Sequence, residues 1–270
     1  MKTFVLDLDI CNGCYCCQIA CKDEHVGNDW MPYARPQPDT GQFWIRLKES
    51  TRGTVPKVRV SYFPQMCMHC EDAACIKVCE PGAIYRRPDG LVIVDPEKCT
   101  GCKLCTDACP HDALFFNEDL NIAQKCTGCA HLLDDGWDVP RCVDACASGA
   151  LHFGEEEDLK ELVAKAGEQP KGCTGGRVFY INMPKTFVAG TLYEPTQKEV
   201  IIGATCILTD KENQETHRVE TDGFGDFWFE GLPSGRVFSL QFEKDGRRKT
   251  IDSIDASKDV NLGDIAMGLS

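Results

Sequence analysis

The chain has 270 residues, which suits two or three domains, and its formal net charge of −13 at pH 7 argues against nucleic acid or an anionic membrane surface as a partner. No apolar run approaches the roughly 20 residues that a membrane-spanning helix needs, and the first residues pass directly into a predicted strand rather than a cleavable signal. Because its many cysteines need reducing conditions, these features together favour the cytoplasm.

Cysteine is the residue type that says most about this chain, because 16 of its 19 cysteines fall into four groups of four. In chain order, the four quartets are Cys11, Cys14, Cys17 and Cys21, then Cys67, Cys70, Cys75 and Cys79, then Cys99, Cys102, Cys105 and Cys109, and finally Cys126, Cys129, Cys142 and Cys146. Four thiolates bind one [4Fe–4S] cluster, and the third quartet, followed by Pro110, has the C-x2-C-x2-C-x3-C-P spacing of bacterial ferredoxins. The sequence therefore predicts four clusters, with iron bound by these cysteines, and a function in electron transfer.

An insertion of residues 22–66 separates the first two quartets. Residues 43–47 and 58–62 within it alternate between apolar and polar side chains, which predicts two paired strands. The insertion is too long for an unstructured loop, and it is rich in aromatic residues. These side chains either cover a cluster or contact a partner protein, and the sequence favours neither interpretation.

The second and third quartets form one continuous segment, with strand-like sequences at residues 82–85, 91–94 and 113–116. In two-cluster ferredoxins the fourth cysteine of a run binds the other cluster. We therefore predict cluster 3, bound by Cys67, Cys70, Cys75 and Cys109, and cluster 4, bound by Cys79, Cys99, Cys102 and Cys105.

The outer two quartets are left to pair with each other by symmetry, since strand-like residues 3–6 precede the first and residues 150–153 follow the last. This pairing predicts cluster 1, bound by Cys11, Cys14, Cys17 and Cys146, and cluster 2, bound by Cys21, Cys126, Cys129 and Cys142. The last two cysteines of every quartet are four residues apart, so a helix would place them on one face, about 6 Å apart along its axis.

Zinc is the main alternative to iron, because all-cysteine C-x2-C pairs also bind zinc. Three closely spaced cysteines with a fourth nearby, repeated along the chain, favour iron–sulfur clusters, and the odd total argues against disulfides. The remaining Cys16, Cys173 and Cys206 are interpreted as small apolar residues. His69 and His131 each lie beside a quartet, where an imidazole either donates to a sulfur or is simply packed.

Beyond the fourth quartet the sequence pattern changes. Residues 155–176 are predicted to form a helical linker that begins at the acidic residues 155–158 and ends at residues 169–172. Seven short alternating strands follow, at residues 177–181, 188–192, 205–208, 217–221, 226–229, 237–242 and 249–254. They predict a β-sandwich of residues 177–270 with a core of Phe224, Phe227, Trp228, Phe229, Phe238 and Phe242. The predicted fold class is α+β: two ferredoxin-like dicluster units in residues 1–154, then this sandwich.

The four quartets, with the fourth split as C-x2-C-x12-C-x3-C, resemble the iron–sulfur subunits of molybdopterin oxidoreductases over residues 1–154. The resemblance implies a non-catalytic electron-transfer subunit whose large partner holds molybdopterin guanine dinucleotide with Mo or W. It also implies that cluster 1 faces that partner. An external electron carrier or a membrane subunit is a further implied partner, and export with a signal-bearing partner is the alternative to the cytoplasm.

A narrower resemblance lies in residues 67–75 (CMHCEDAAC) and 124–135 (QKCTGCAHLLDD). Joined to a C-terminal sandwich, these stretches are similar to the small subunit of pyrogallol–phloroglucinol transhydroxylase and of related aromatic hydroxylases and dehydroxylases. In that subunit one quartet is incomplete, whereas the third quartet is intact here, which implies four clusters rather than three. Residues 222–232 resemble transthyretin-like or carboxypeptidase-regulatory-like sandwiches.

Two other functional classes fit parts of this pattern. One is a stand-alone polyferredoxin that carries electrons between several partners, although such a carrier needs neither the insertion nor the sandwich. The other is a zinc-stabilised interaction protein, which the colour of anaerobically purified protein would distinguish from an iron–sulfur protein.

Overall fold

The computed structural model describes residues 1–167 and 175–268, which form two compact units. The first, named the cysteine unit, comprises Met1–Glu49 and Tyr62–Met183, and the second, named the β unit, comprises Ser50–Ser61 and Pro184–Ser270. The longest of the described helices, α1 (Cys16–His25), has ten residues. In the described part of the chain, no helix combines the length and the apolar character of a membrane span.

The other helices of the cysteine unit are single turns: α2 (Ala74–Lys77), α3 (Leu104–Ala108), α4 (Ala130–Asp134), α5 (Arg141–Asp144) and α6 (Lys160–Val163). The strands up to the end of this unit are β1 (Lys2–Asp7), β2 (Ile45–Thr54), β3 (Lys57–Met66), β4 (Ile84–Arg86), β5 (Val92–Val94), β6 (Leu114–Asn117), β7 (Ile122–Lys125), β8 (Leu151–Glu155) and β9 (Val178–Ile181).

Strand β1 is the centre of a three-stranded sheet in the order β8-β1-β9. Its residues Phe4, Val5 and Leu6 are buried, which is the continuous apolar run of a strand covered on both faces. Strand β8 pairs with it antiparallel, so the strands predicted before the first quartet and after the last are confirmed and are neighbours.

Strand β9 corrects the predicted domain boundary at residue 177. It pairs in parallel with β1, from Phe4 opposite Val178 to Asp7 opposite Ile181, and so belongs to the cysteine unit rather than the sandwich. The Tyr180 hydroxyl also donates to the carbonyl oxygen of Pro64, 2.9 Å away. An alternating pattern predicts a strand but does not say which sheet it joins, which is why the sequence misplaced this one.

Two antiparallel hairpins, β4–β5 and β6–β7, lie between and beside the second and third quartets. The three predicted strands of this region are confirmed as β4, β5 and β6, whereas β7 was not predicted. Strand β7 ends at Lys125, directly before the fourth quartet, and Lys125 pairs there with Leu114 of β6.

The predicted hairpin within the insertion is confirmed as β2–β3. Its tip, Ser50–Ser61, belongs to the β unit. There Arg52 Nη1 pairs with Asp259 at 3.2 Å, and Lys57 pairs with Asp226. The backbone of Gly53, with φ of 84°, passes so close to the carbonyl oxygen of Lys57 that a Cβ would lie 2.4 Å from it.

The helix predicted to begin at residue 155 is much shorter, because Glu155 is the last residue of β8. Its carboxylate accepts from the N-terminal amino group at 2.6 Å and pairs with Lys2 at 3.2 Å, which holds this residue in the sheet. Only α6 remains of the predicted linker helix, and its expected end at residues 169–172 lies outside the described residues.

Besides the hairpin tip Ser50–Ser61, the β unit contains two four-stranded sheets. Its strands are β10 (Thr186–Glu194), β11 (Glu199–Val200), β12 (Thr205–Asp210), β13 (Thr216–Glu220), β14 (Asp226–Leu232), β15 (Val237–Lys244), β16 (Arg247–Asp255) and β17 (Val260–Ala266). One sheet joins β10 to β11, β14 and β17, and the other has the order β13-β12-β15-β16. Side chains from both sheets form one apolar core, the arrangement of a β-sandwich.

Four of the six predicted core aromatics are buried in this sandwich: Phe227, Phe229, Phe238 and Phe242. The prediction that Phe224 is in the core is wrong, since this residue lies on the turn before β14 and is 78% exposed. Trp228 points to the other face of β14, where the Arg59 guanidinium lies 3.9 Å from its ring centre. Strand alternation explains why Trp228 is not in the core between its two buried neighbours.

Candidate iron–sulfur centres

Tight loops with left-handed backbone hold the C-x2-C pairs. The residue before the second cysteine of the pair has φ of 74° at Gly13, 74° at Gly101 and 64° at Gly128. A Cβ on these glycines would lie within 3 Å of a neighbouring side chain. In the second quartet the same position is His69, which takes a φ of 45° without the freedom of glycine.

The last two cysteines of each quartet were expected to share one face of a helix, and this expectation is fully met in one quartet. Cys17 and Cys21 lie one turn apart on α1. In the other three quartets a single-turn helix carries the third cysteine, and the fourth lies at or just past the helix end: Cys79 after α2, Cys109 after α3 and Cys146 after α5.

The first and fourth quartets contribute to two groups of thiols. Burial raises the pKa of the Cys17 thiol to about 12, and the thiolates of Cys11, Cys146 and Cys14 contribute to this rise. Burial also raises the pKa of the Cys142 thiol well above its ordinary value, with contributions from Cys129, Cys21, Cys126 and Cys17. We name Cys11, Cys14, Cys17 and Cys146 group 1, and we name Cys21, Cys126, Cys129 and Cys142 group 2.

The second and third quartets line two partly open cavities. Cys67, Cys70, Cys75 and Cys109 line one, named group 3. Cys79, Cys99, Cys102 and Cys105 line the other, named group 4. Each cavity therefore takes cysteines from both quartets.

Single cysteines of different groups also influence one another's charge. Three cysteine pairs whose charges interact join them: Cys17 and Cys21 between groups 1 and 2, Cys126 and Cys67 between groups 2 and 3, and Cys75 and Cys105 between groups 3 and 4. Cysteines of these groups therefore lie near one another within the cysteine unit.

Backbone N–H groups point at several of these sulfurs. Ile84 donates to Cys79 Sγ at 3.3 Å, Ala123 donates to Cys99 Sγ at 3.4 Å, and Gly128 donates to Cys126 Sγ at 3.3 Å. Hydrogen bonds to cluster sulfurs stabilise negative charge there and thereby tune the reduction potential.

Two tryptophans of the insertion pack over the histidines beside group 2. Trp30 stacks on His131 with ring centres 4.4 Å apart, and Trp44 packs on His25 with ring centres 4.5 Å apart. His131 Nε2 lies 3.0 Å from a carboxylate oxygen of Glu24. These aromatic side chains therefore cover the group from within the unit, one of the two roles that the sequence left open.

Sequence reasoning missed His25, which is buried with its Nε2 atom 3.9 Å from Cys129 Sγ. Burial, with a contribution from His131, lowers its pKa to about 3, so the imidazole is neutral. Its position on α1, four residues after Cys21, was the available signal, because such residues share a helical face.

His69 is buried beside group 3, and its tautomer follows from one hydrogen bond. The Val92 amide donates to Nδ1 at 2.9 Å, while burial, together with Lys125, lowers the pKa of the imidazole well below its ordinary value. A neutral ring that accepts at Nδ1 carries its proton on Nε2. This N–H has no hydrogen-bond partner among the described residues, and the side chain lines the group 3 cavity.

The cysteines outside the quartets have separate environments. Cys16 lies within hydrogen-bonding reach of Cys14, Cys206 is buried in the sandwich core, and Cys173 lies outside the described residues. No disulfide forms among the cysteines of residues 1–167 and 175–268. Over the same ranges, no three or more His, Cys, Asp or Glu side chains are grouped to hold a single metal ion.

Comparison with known proteins identifies both parts of the chain. Residues 58–156 match the 4Fe-4S dicluster domain, and residues 188–268 match the carboxypeptidase regulatory-like domain. The class defined by fold and site is therefore an iron–sulfur protein with an appended regulatory-like sandwich.

Similar curated proteins narrow this class. The pyrogallol hydroxytransferase small subunit of Pelobacter acidigallici is 36% identical, over 97% of this chain and 98% of that protein. A sulfite dehydrogenase subunit of Allochromatium vinosum is 38% identical over 48% of this chain and 57% of its own length. A tetrathionate reductase subunit of Salmonella typhimurium is 32% identical over 68% of this chain and 73% of its own length. This chain belongs to the iron–sulfur electron-transfer subunits of molybdopterin oxidoreductases.

Proposed function

We propose that this chain binds four [4Fe–4S] clusters and passes single electrons along them between an external carrier and a pterin-bound Mo or W on a large catalytic subunit. The observation that carries the proposal is that cysteines from different quartets come together in the fold, since each of the four groups has the four thiolates that one cluster requires. When bound, each cluster supplies a one-electron redox centre.

The proposed ligands are the members of the four groups. Cluster 1 is bound by Cys11, Cys14, Cys17 and Cys146, and cluster 2 by Cys21, Cys126, Cys129 and Cys142. Cluster 3 is bound by Cys67, Cys70, Cys75 and Cys109, and cluster 4 by Cys79, Cys99, Cys102 and Cys105. Groups 3 and 4 with their two hairpins form one ferredoxin-like dicluster unit in this proposal, and groups 1 and 2 form the second.

The chain's own residues give each group its environment. The buried histidines and the tryptophans of the insertion keep water from group 2, and backbone amides donate to sulfurs of groups 2 and 4. Excluding water lowers the local dielectric constant, so these fixed dipoles act more strongly on the charge of a bound cluster.

Iron content and one variant test the cluster count. We expect anaerobically purified protein to contain about sixteen iron atoms per chain, as four clusters of four require, and Cys102→Ser to contain about twelve. Cys206→Ser, a change in the sandwich core, is the matched control and should keep about sixteen. A wild-type value of about twelve, or a colourless protein with zinc, would contradict the proposal.

We propose that the large subunit contacts the surface beside group 1. Cys14 is exposed there, and three residues near it in sequence have apolar side chains partly open to solvent: Ile10 at 45%, Tyr15 at 37% and Ile19 at 62%. Exposed apolar side chains near a proposed redox centre suit a protein interface. Copurification of a large subunit in equal amount would separate this proposal from the alternative of a stand-alone polyferredoxin.

We further propose that the complex acts on hydroxylated aromatic compounds. The support is the relative named pyrogallol hydroxytransferase small subunit, which this chain matches along nearly its whole length, sandwich included. Assay of the copurified complex with di- and trihydroxybenzenes tests this proposal, and turnover of sulfur oxyanions alone would overturn it. We place assembly in the cytoplasm, where thiols stay reduced, with folded export beside a signal-bearing partner as the alternative.

A further inference from the structure

A lysine is buried between groups 2 and 3. Lys125, the last residue of β7, is 1% exposed. Its ammonium donates to the carbonyl oxygen of Cys126 at 2.8 Å and to Cys67 Sγ at 3.4 Å, and it also donates to the carbonyl oxygen of Val92. One ammonium group therefore touches a sulfur of group 3 and the backbone of a cysteine of group 2.

No carboxylate of the described residues balances the positive charge of the Lys125 ammonium group. No Asp or Glu of residues 1–167 or 175–268 forms an ion pair with Lys125, although 20 such pairs occur elsewhere in those residues. Carbonyl oxygens carry only partial charge, and burying an unpaired ion is costly. The negative charge that balances this lysine must come from the neighbouring thiolates and from what they bind.

Strand β5 fixes the position of this ammonium group. Val92 accepts from Lys125 through its carbonyl oxygen and donates to His69 through its amide, so one residue orients both buried nitrogen-bearing side chains. Val92 is itself 1% exposed. A charge held in this way reorganises little when a neighbouring group gains an electron, and it is screened little by water.

We propose that Lys125 is the counter-ion of clusters 2 and 3 and that it raises their reduction potentials above the values they would have without it. The proposal rests on the proposed function, because it takes Cys67 and Cys126 as cluster ligands. Reduction adds one negative charge to a cluster, and a fixed positive charge beside it stabilises that reduced state. Lys125 acts through Cys67, so it is a positioning residue for the electron relay.

The same chain offers a matched control in Lys103. It follows the ligand Cys102 directly, as Lys125 directly precedes Cys126, but its side chain is 48% exposed and pairs with Glu118 at 2.8 Å. Water and this carboxylate screen its charge. The two lysines share their chemistry and their closeness to a ligand, and they differ in burial and pairing.

The test uses anaerobic redox titrations followed by EPR. Three proteins are compared, each in complex with its large subunit: the wild type, Lys125→Met and Lys103→Met. We expect Lys125→Met to lower the equilibrium constant for reduction at clusters 2 and 3 at least tenfold, which is about 59 mV for one electron. Lys103→Met should leave those two potentials unchanged. A fully loaded Lys125→Met protein with wild-type potentials would overturn the proposal.

Two more variants keep the result decisive if Lys125→Met loses a cluster. Lys125→Arg keeps the positive charge, and Lys125→Gln keeps only hydrogen bonding. If Lys125→Arg retains four clusters and Lys125→Gln does not, the result supports a need for the positive charge. The proposal is overturned if Lys125→Gln retains four clusters with unshifted potentials, or if Lys125→Arg also loses a cluster. Wild-type iron content well below about sixteen would instead overturn the proposed function, so the two failures are distinguishable.

Discussion

His69 occupies a left-handed loop position at which the other three quartets have glycine. A side chain in this conformation costs about 1 kcal/mol relative to glycine, so its presence suggests a role beyond closing the loop. The neutral ring accepts at Nδ1 and has a proton left at Nε2, on a side chain that lines the group 3 cavity. The geometry suits donation to a sulfur of the cluster proposed at group 3.

Replacing His69 with Gly tests this role at the residue scale. Gly stands at this position in the other three quartets and favours the left-handed backbone, so the loop should close, but every side-chain donor is lost. We expect the reduction potential of the third cluster to fall by less than the change at Lys125, because a neutral donor stabilises added charge less than an ammonium does. An unchanged potential in a fully loaded EPR titration would show that His69 is only packed.

Helix α1 is the element that connects the chain's interior to its proposed partner. Its buried side carries Cys17, Cys21 and His25, while Ile19 on the opposite side is 62% exposed. One helix thus holds ligands of two neighbouring groups and presents an apolar side chain to solvent.

Ile19→Asp tests the proposed interface at the element scale. We expect binding of the large subunit to weaken at least tenfold, about 1.4 kcal/mol, because a carboxylate would be desolvated in the contact. Affinity measured by titration of separated subunits checks this, with unchanged iron content as evidence of intact folding. Val55→Asp, at an 86% exposed apolar residue of the β2–β3 tip, is the control and should bind as the wild type does.

At the scale of the whole molecule, the two units depend on different kinds of core. The β unit has an apolar core to which both sheets contribute, including Phe227, Phe238 and Phe242. In the cysteine unit, many of the buried side chains are thiols, among them Cys21, whose pKa burial raises well above its ordinary value. Neighbouring thiolates, when ionised, repel one another in this core. Bound iron would replace that repulsion with metal–ligand bonds.

Iron removal should therefore unfold one unit and spare the other. We expect anaerobic chelation to make the cysteine unit sensitive to trypsin while residues 184–268 stay resistant, because binding of structural metals is coupled to folding. Limited proteolysis with mass spectrometry checks this. Equal resistance of both units after complete iron loss would show that the thiol-lined core is stable without metal.

Much of the local structure was predictable because it depends on short-range pattern. Short apolar, strand-like segments indicated β4, β5 and β6, alternation indicated the β2–β3 hairpin, and cysteine spacing indicated which residues are the candidate ligands. Errors arose where the outcome depends on distant residues. The sheet that β9 joins is one such case, and the exposure of Phe224 is another.

In the candidate site, too, local features were predictable from the sequence and features that depend on distant residues were not. Lys125 is part of a stretch that the sequence analysis singled out, yet nothing local distinguishes it from an exposed lysine such as Lys103. Its role depends on Cys67 and Val92, which precede it by 58 and 33 residues. His25 had one local signal, its spacing of four residues from Cys21, but its ring contacts come from residues farther along the chain, Trp44 and His131.

The sequence by itself determined the kind of chemistry, because four thiolates at ferredoxin spacing specify a ligand set whatever surrounds them. Only the tertiary structure decided the strand that completes the β1 sheet and the burial of a lysine between two groups. Ligand spacing is a local property of the chain, whereas burial and charge balance depend on contacts between residues far apart in sequence.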